Sequence, residues 1–309
     1  MSTVAIVMTA YNGEQYVGAQ IESILASSYQ DFELFIYDDG STDATMDILR
    51  SYEREYPSKL HVHQNEANLG VSLNFLQALA RTTMDYIMFS DQDDVWKTNK
   101  IALTLKRMRN MEAQSGKDMP LAVFTDATIV DKDLNEIHGS FFCSNHLNPR
   151  KTDLAHLLME NKLIGCTVMV NGALRKILQA NHYPERARYH DWWVALIAAS
   201  FGRISFVCEK TLLYRQHGNN VVGGDGFLAY VKHRLGAISL QRASILLLEE
   251  QAKEFLDLYG EKLSEDRREV IEIFSKLHET GSLERRCLLI KYGYLKTGLV
   301  RNIGLLIII

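Results

Sequence analysis

Three aspartates within four positions follow a short apolar segment in the first third of the chain. They are Asp91, Asp93 and Asp94, and the apolar segment is 86–89. Carboxylates this close repel each other and resist ionisation unless a cation joins them. Asp oxygens are hard ligands that suit Mg²⁺ or Mn²⁺, and phosphates usually occupy the remaining positions of a metal held by few protein ligands. An isolated D-x-D would favour a solvated polar loop instead, so the surrounding elements decide between the two interpretations.

The spacing of apolar residues predicts alternating strands and helices on both sides of this cluster. Short loops between them imply βαβ units, and hence an α/β fold with a mainly parallel, Rossmann-like sheet flanked by helices. Polar segments follow the first, second and fourth predicted strands, at 9–12, 38–43 and 90–94. Because ligands bind beyond the carboxyl ends of such strands, these three segments are expected to meet at one edge, which favours the metal site. The predicted strands span 4–8, 31–37, 60–63, 85–89 and 121–125, and the predicted helices 14–25, 44–56, 71–81 and 97–111.

The polar segment after the second strand contains more carboxylates than a turn requires. Asp43 is assigned to the turn and helix start, because Asp, Ser and Thr are ordinary residues there. The adjacent pair Asp38 and Asp39 before Gly40 exceeds that need and is assigned to the site. The first strand is followed neither by G-x-G-x-x-G nor by a Walker lysine loop, so the edge does not resemble a dinucleotide or ATP cradle. A metal is therefore expected to neutralise phosphate there.

Composition excludes several classes of protein. The 309 residues are 47% hydrophobic and 23% charged, which is ordinary for a soluble globular chain. The net charge of −4 gives no basic field for nucleic acid. Four scattered cysteines without a C-x-x-C pair argue against structural zinc and favour a reduced, cytoplasmic protein. Neither a basic leader nor an apolar segment of ~18–20 residues is present.

The second half of the chain is more mixed and then becomes helical. A loop and strand over 163–170 precede a helix at 190–198, which has Asp191 near its N-terminus. A shift in pattern near 222–227 divides the chain into an α/β domain, 1–224, and a C-terminal helical region, 225–309. The helices predicted in that region span 231–259, 265–280 and 283–303.

These segments together resemble the family 2 inverting glycosyltransferases, whose catalytic domain has the A-type (GT-A) nucleotide-sugar fold. The matching segments are 9–13, 38–43, 68–70 and 91–94, in the family's order and spacing. The resemblance covers roughly residues 3–220 and makes 1–224 the catalytic domain. Further segments resemble the bacterial rhamnosyltransferases that build cell-wall or capsular polysaccharide and typically use dTDP-L-rhamnose. These are 90–96, 190–193 and 214–220.

The resemblance assigns the donor side of the site. Asp39 would accept from the pyrimidine N3–H, Asp91 would contact the ribose or a water on the metal, and Asp93 would bind Mn²⁺ or Mg²⁺. His217 would complete or flank the metal and diphosphate site. The remaining residues assigned to nucleotide-sugar binding are Thr9, Tyr11, Asn12, Asn68 and Gln92.

The resemblance also makes Asp191 the catalytic base, which takes the proton of the attacking acceptor hydroxyl. From spacing alone, Asp191 could equally be a helix N-cap. The helix N-terminus is expected to keep its carboxylate ionised. Adjacent Trp192 and Trp193 would point about 100° apart on a helix, so at most one faces the site. The residues assigned to the acceptor or to a supporting shell are Asp94, His190, Trp192 and Trp193.

Two departures and three alternatives accompany this interpretation. Leu73-Asn74 replaces the Arg-Asn of many family members, and the Gln-x-x-Arg-Trp of processive synthases is absent. The expected acceptor is a saccharide or an undecaprenyl-diphosphate-linked saccharide. The alternatives are a transferase of UDP-Gal, UDP-Glc or UDP-GlcNAc with the same fold, a non-catalytic nucleotide-sugar-binding scaffold, and a nucleotidyltransferase. The last usually has a Gly-rich basic loop after the first strand, which is missing here.

The C-terminal residues 283–309 combine basic and apolar side chains. A basic amphipathic helix with aromatic residues can lie in a membrane interface, so a peripheral contact with the inner face of the cell membrane is one prediction. A helix packed on the catalytic domain or a homodimer interface is the alternative. The basic residues of this segment are Arg285, Arg286, Lys291, Lys296 and Arg301.

Overall fold

A nine-stranded mixed sheet organises the chain in the computed structural model, which describes residues 4–216 and 238–309. Its strand order is β3-β2-β1-β4-β8-β6-β9-β5, with β7 paired to β6. The strands are β1 (Val4–Ala10), β2 (Phe32–Asp38), β3 (Leu60–Gln64), β4 (Tyr86–Ser90), β5 (Val95–Trp96), β6 (Leu121–Val130), β7 (Glu136–His138), β8 (Met169–Asn171) and β9 (Arg203–Arg215).

The predicted parallel half of the sheet is confirmed. Strands β3, β2, β1 and β4 are neighbours and run parallel. Strand β1 is buried on both faces, which explains its uninterrupted apolar sequence. Strand β8 lies antiparallel between β4 and β6, and β5 and β7 are short antiparallel additions. The carboxyl ends of β1, β2 and β4 therefore lie side by side.

Helices cover the sheet and form the C-terminal region. Most of the crossover helices bury one apolar face, as their spacing predicts. The helices are α1 (Val17–Leu25), α2 (Thr45–Glu55), α3 (Val71–Arg81), α4 (Lys100–Ser115), α5 (Phe141–Ser144), α6 (Leu154–Met159), α7 (Gly172–Gln179), α8 (His190–Phe201), α9 (Ile238–Tyr259), α10 (Glu265–Ser275), α11 (Ser282–Tyr292) and α12 (Leu299–Ile308).

The prediction of a single last helix over 283–303 is wrong, because the structure has two helices there. Gly293 follows α11 with φ 76°, and Gly298 precedes α12 with φ 86°. Both angles lie where residues with a Cβ are strained, so the two glycines separate the segment into two helices. We call residues 295–309, which contain α12, the terminal segment. The predicted boundary at 224 lies outside the described residues and stays a prediction.

The C-terminal helices share the apolar core of the sheet region. The Trp193 ring on α8 packs edge-on against Phe255 of α9, with ring centroids 5.2 Å apart, and lies 6.1 Å from the Tyr259 ring. Buried side chains from α9 to α12 belong to the same hydrophobic cluster as those of β1 and β4. Within 4–216 and 238–309, helices with the length and apolarity needed to cross a bilayer are absent.

Candidate active site

The loops after β1, β2 and β4 meet at one edge of the sheet, as the sequence predicted. The Tyr11 N–H donates to Gln92 Oε1 over 2.9 Å, and Gln92 Nε2 donates back to the Tyr11 carbonyl over 3.0 Å. The Asn12 N–H donates to Ser41 Oγ over 2.9 Å. Gln92 thus fixes the main chain beside the half-exposed Tyr11 ring, and its predicted contact with the donor stays a prediction.

Gly13 allows this close approach. A Cβ at position 13 would lie 2.2 Å from Gln92 Oε1, a distance that real Cβ atoms do not show. Asn12, just before it, has a left-handed φ of 47°, and its Oδ1 accepts from the Thr42 N–H over 2.8 Å. The Asn12-Gly13 pair therefore determines the shape of the loop that borders the predicted nucleotide site.

Asp39 is buried in the loop that follows β2. Its carboxylate accepts from Asn65 Nδ2 over 2.9 Å and from the Leu69 and Gly70 N–H groups over 2.8 Å each. Asn68 Nδ2 donates to the Asp39 carbonyl over 3.0 Å. A carboxylate has about four acceptor positions, so one remains for a ligand N–H. The predicted pyrimidine contact has room but stays a prediction.

The assignment of Asp38 to the site is wrong. Its carboxylate accepts from the N–H groups of Gly40 and Ser41 at 3.1 and 3.0 Å, and from Ser41 Oγ at 2.5 Å. The side chain is fully buried, and Gly40 turns the chain with φ 88°. Asp38 therefore closes the turn after β2. Asp43 has the structural role expected of it, accepting from the Thr45 and Glu14 N–H groups.

The acidic cluster after β4 contacts a cysteine that sequence reasoning missed. Single ligand atoms of Asp91, Asp94 and Cys166 lie within 4.8 Å of one another. Asp94 is 1% exposed, and its Oδ1 accepts from the Arg215 N–H over 3.2 Å. Among the residues that the structure describes, its Oδ2 has no hydrogen-bond partner. Burial, reinforced by the Asp93 charge, raises the pKa of Asp94 to about 7. Burial and the charges of Asp94 and Asp93 also raise the pKa of Asp91.

Lys100, the first residue of α4, is a second component that the sequence did not reveal. It is completely buried, with Nζ 4.7 Å from the centre of the Trp96 ring and 3.4 Å from Thr211 Oγ1. Burial lowers the pKa of Lys100 to about 8, although the nearby Asp94 and Asp91 favour the charged form. A cation of the protein itself therefore lies beside the acidic cluster.

The cluster fits a divalent cation. Two close carboxylates supply hard oxygen ligands, and Asp94 Oδ2 is a buried acceptor without a partner within 4–216 and 238–309, so it can accept from a donor or bind a cation. The predicted ligand Asp93 is partly buried next to this pair, and its carbonyl accepts from Arg215 Nε over 2.8 Å. His217 lies outside the described residues. The predicted Asp93–His217 pair thus stays a prediction, and Asp91 and Asp94 are further candidate ligands.

Asp191 lies on the other side of a short turn from this cluster. The turn contains Gly165 and Cys166: the Gly165 N–H donates to the Asp191 carboxylate, and the Cys166 thiol hydrogen-bonds to Asp91. Asp191 Oδ1 also accepts from Asn161 Nδ2 over 3.0 Å. Tyr189 is the cap residue of α8, so Asp191 lies in the first turn and the N-cap alternative is wrong.

The expectation that the helix N-terminus keeps Asp191 ionised is also wrong. Burial raises the pKa of Asp191 to about 7, against the opposing hydrogen bonds from the main chain of Trp192 and Gly165 and from Asn161. Its charge in turn helps to raise the pKa of Asp91. At neutral pH the carboxyl is therefore divided between its two forms, which suits a group that accepts a proton.

Gly165 and His190 shape the wall behind Asp191. A Cβ on Gly165 would lie 2.7 Å from His190 Nε2 and 3.6 Å from Asp191 Oδ2. The His190 ring stacks on Phe75 with centroids 4.0 Å apart and meets Phe89 edge-on at 5.2 Å. Burial lowers the pKa of His190 to about 3, so the imidazole is neutral. His190 lies in a supporting position.

Both tryptophans beside Asp191 are buried. Trp193 is inaccessible, so it does not contact an acceptor. Trp192 is 8% exposed, and its Nε1–H donates to the Leu157 carbonyl over 2.5 Å. The two rings attach α8 to α6 and α9. Of the two predicted roles, acceptor contact and support of the site, this arrangement favours support.

The family assignment follows from comparison with known proteins. Residues 5–155 match the family model described as Glycosyl transferase family 2. The chain carries a family 2 glycosyltransferase domain. The matched region runs from β1 to α6 and includes every predicted donor-side residue except His217. Asp191 lies beyond it, in the first turn of α8.

Relatives and a solved structure extend this match. The chain is 28% identical over 244 residues to the dTDP-rhamnosyl transferase RfbG of Shigella flexneri, covering 75% of this chain and 78% of that protein. It is 26% identical over 211 residues to the UDP-Glc:alpha-D-GlcNAc-diphosphoundecaprenol beta-1,3-glucosyltransferase WfgD of Escherichia coli, covering 67% and 76%. The fold is similar to that of the mannosyltransferase PcManGT from Pyrobaculum calidifontis in complex with GDP-Man and Mn²⁺. That comparison has a TM-score of 0.55 and 15% identity, and covers 94% of this chain and 73% of the other.

Proposed function

We propose that this family 2 glycosyltransferase moves a sugar, with inversion, from a nucleoside-diphosphate donor to a hydroxyl of a saccharide in bacterial surface polysaccharide synthesis. The observation that carries the proposal is the turn at 165–166, which contacts Asp191 on one side and the acidic cluster on the other. The proposed base and the proposed diphosphate site would thereby be close together. Direct displacement at a sugar carbon needs this juxtaposition and no covalent intermediate.

Asp191 is the base in this proposal. The acceptor hydroxyl has a high pKa, so its proton must be taken as attack proceeds. A carboxylate with a pKa near 7 takes that proton more readily than one near 4, while still being available in the ionised form at neutral pH. Asn161 and the Gly165 N–H hold the carboxylate from behind.

The acidic cluster is the diphosphate side. A bound Mn²⁺ or Mg²⁺ would stabilise negative charge on the departing diphosphate, and the residues that would hold it are Asp91, Asp93 and Asp94, with His217 as the predicted further ligand. Asp39 and the loop at 11–13 border the pocket assigned to the nucleoside. Both the requirement for a metal ion and its identity as Mn²⁺ or Mg²⁺ are part of the proposal.

We infer dTDP-L-rhamnose as the donor, supported by the similarity to RfbG and by the segments 90–96 and 190–193. The similarity to WfgD supports the second candidate, a UDP-hexose. A thermal-shift panel of dTDP-rhamnose, UDP-Glc, UDP-GlcNAc and UDP-Gal, each with and without Mn²⁺, separates them. Selective stabilisation by dTDP-rhamnose, followed by its transfer, is expected, and stabilisation by a UDP-sugar alone would replace rhamnose in the proposal. Asp191→Asn should still bind the donor but transfer nothing, whereas a non-catalytic scaffold predicts no transfer by the wild type.

The acceptor is proposed to be lipid-linked, and the terminal segment to contact the membrane surface that carries it. Three apolar side chains on one face of α12 are largely exposed: Leu299 at 77%, Ile303 at 49% and Ile307 at 65%. They are spaced by four residues and therefore form one stripe. Such an exposed apolar stripe is typical of helices that lie in a membrane interface.

Liposome flotation with undecaprenyl-phosphate in anionic vesicles tests this contact. The triple variant Leu299→Ser, Ile303→Ser, Ile307→Ser should lose flotation, whereas Ile137→Ser, at an exposed apolar residue of β7, should retain it. Equal flotation of the wild type and the triple variant would exclude the membrane contact. A wild type that sediments as a dimer, and a triple variant that is monomeric, would favour the dimer interface instead.

A further inference from the structure

The segment Glu160-Asn161-Lys162 lies between the terminal segment and the candidate base. Glu160 is extended, with φ −155° and ψ 119°. Successive side chains of an extended segment point to opposite sides. Accordingly, Asn161 contacts Asp191, while Glu160 and Lys162 contact the terminal segment.

Asn161 is held rigidly on the side of the base. Its Nδ2 donates to Asp191 Oδ1 and to the Leu163 carbonyl, each over 3.0 Å, and its Oδ1 accepts from the Leu163 N–H over 3.0 Å. The two bonds to Leu163 fix which way the amide faces. Asn161 therefore presents an N–H to the carboxylate and cannot rotate without losing three hydrogen bonds.

The other side of the segment is a buried ionic cluster. Lys162 is inaccessible and Glu160 nearly so, and the two side chains are paired. Arg301 of α12 forms an ion pair with Glu160 Oε1 at 2.6 Å. The Thr297 N–H donates to Glu160 Oε2 over 2.8 Å, and Lys162 Nζ donates to Thr297 Oγ1 over 2.9 Å.

Buried charges are costly unless they are paired and hydrogen-bonded, so this cluster holds the segment only while Arg301 and Thr297 are in place. Removal of either partner leaves a charge without full compensation beside Asn161. The segment would then shift or admit water, and the amide would no longer face the carboxylate in the same way.

We propose that the terminal segment positions the catalytic base: Thr297 and Arg301 fix Glu160 and Lys162, and Asn161 between them orients the Asp191 carboxylate. Asn161 and Arg301 are thus positioning residues for the reaction. This inference rests on the proposed function only in taking Asp191 as the base. It makes residues more than a hundred positions away part of the site.

The groups around Asp191 determine what the experiment measures. The N–H groups of Trp192 and Gly165 and the Asn161 amide favour the ionised form, and Asp91 opposes it. His190 on the same helix is neutral. Loss of the Asn161 hydrogen bond should raise the pKa of Asp191 further. The acidic limb of the pH–rate profile, where kcat falls as Asp191 becomes protonated, should therefore move to higher pH.

The test compares Asn161→Ala, Arg301→Met and Arg301→Lys with Arg285→Met. Arg285 donates to the carbonyls of His278 and Thr280 and has no contact with Glu160. Asn161→Ala should lower kcat by tenfold or more, with donor Kd within twofold of wild type and the acidic limb displaced upward. Arg301→Met should produce smaller changes of the same kind, Arg301→Lys should restore most of kcat, and Arg285→Met should match wild type.

Several results would overturn the inference. The first is a wild-type kcat and an unmoved acidic limb of the pH–rate profile in Arg301→Met. The second is an equal loss of kcat in Arg301→Lys and Arg301→Met. The third is a fall in donor affinity in proportion to the fall in kcat. If Arg301→Met does not fold, Thr297→Val, which removes the hydroxyl that accepts from Lys162 Nζ and from the Asn148 N–H, carries the same expectation. Titration of the Asp191 carboxyl by ¹³C NMR needs no transfer: a shift in Asn161→Ala and Arg301→Met supports the positioning role even where sugar transfer fails, and no shift refutes it.

Discussion

Replacement of Asp191 by Asn is expected to abolish transfer and, at alkaline pH, to stabilise the fold. The pKa of this carboxyl rises from 3.8 to about 7 on folding, chiefly through burial. A carboxyl with a raised pKa in the folded state contributes full stability below its unfolded pKa and loses it as pH rises through the folded value. The ionised form of Asp191, which is the form proposed to accept the proton, therefore destabilises the fold.

The size of the effect follows from that shift. One pKa unit corresponds to about 1.4 kcal/mol, so about three units give an upper limit of about 4 kcal/mol above pH 7. Between pH 5 and pH 7 the unfolded carboxyl is ionised while the folded one is still largely protonated. Over these two pH units the free energy of unfolding of the variant should therefore rise by about 2–3 kcal/mol relative to wild type. An amide that leaves one donor of Asn161 or Gly165 unpaired subtracts about 1–2 kcal/mol at every pH. The net gain is expected at about 1–3 kcal/mol near pH 8.5.

Urea unfolding of both proteins at about pH 5 and about pH 8.5, with chelator present, measures the difference by linear extrapolation. Asp126→Asn is the matched control. The Asp126 carboxylate is also buried but accepts from Ser140 Oγ at 2.6 Å and from the Ala127 and Phe141 N–H groups at 2.8 and 3.1 Å. An amide there should destabilise by about 1–3 kcal/mol at both pH values.

Two outcomes contradict this reasoning separately. An equal difference between wild type and Asp191→Asn at both pH values would refute the raised pKa in the folded state. Transfer by Asp191→Asn at the wild-type rate would refute its role as the base, whatever the stability. A variant that is inactive and gains stability only at the higher pH agrees with both.

Three further substitutions address the rest of the site. Gly165→Ala places a Cβ 2.7 Å from His190 Nε2, so it should lower the free energy of unfolding by about 1–3 kcal/mol in thermal or urea unfolding. It should also lower kcat, while the affinity for dTDP or UDP, measured by calorimetry, should be retained. Asp39→Ala leaves the Leu69 N–H without its acceptor and removes one of the two acceptors of the Gly70 N–H. It should cost about 1–3 kcal/mol and weaken nucleotide binding, measured by the same two methods. Asp94→Asn should reduce the thermal stabilisation by Mn²⁺ or Mg²⁺, which for the wild type at about 100 Kd is about 2.7 kcal/mol.

Each of these three predictions has its own contrary result. Wild-type kcat in Gly165→Ala would show that the wall behind the base tolerates movement. Unchanged nucleotide affinity in Asp39→Ala would exclude the nucleoside contact. An unchanged metal response in Asp94→Asn would remove Asp94 from the candidate ligands and leave Asp93 as the residue to test.

The edge of the sheet where the loops after β1, β2 and β4 meet was predictable, because the sequence patterns that determine it are local. Apolar strands that end in polar residues, joined by short crossovers, determine a parallel order and bring the loops after β1, β2 and β4 together. Asp38 and Asp39 look equivalent in the sequence, yet Gly40 folds the chain back onto Asp38 while Asp39 faces the loop before α3. That difference depends on a dihedral angle, which the residue types do not specify.

The buried contacts beyond this edge had no local signal. Lys100 lies in an amphipathic helix where a lysine is expected at the surface, and Cys166 and Asn161 have no periodic pattern. The ionisation of Asp191 was predicted from the helix N-terminus, an effect of about 0.3–1 kcal/mol. Burial raises the pKa by about three units, or about 4 kcal/mol, and decides the outcome. Burial of this kind is a property of the assembled fold.

The ion pair between Glu160 and Arg301 also concerns the order in which the chain is made. On the ribosome, Asp191 emerges more than a hundred residues before Arg301, so the sheet and its donor edge can form while Glu160 and Lys162 still lack their partners. On the proposed function, the nascent domain would bind the donor before Asp191 is oriented. On the proposal above, a chain released before Thr297 would lack the contacts that hold Glu160 and Lys162, and its transfer rate should be lower than that of the full chain.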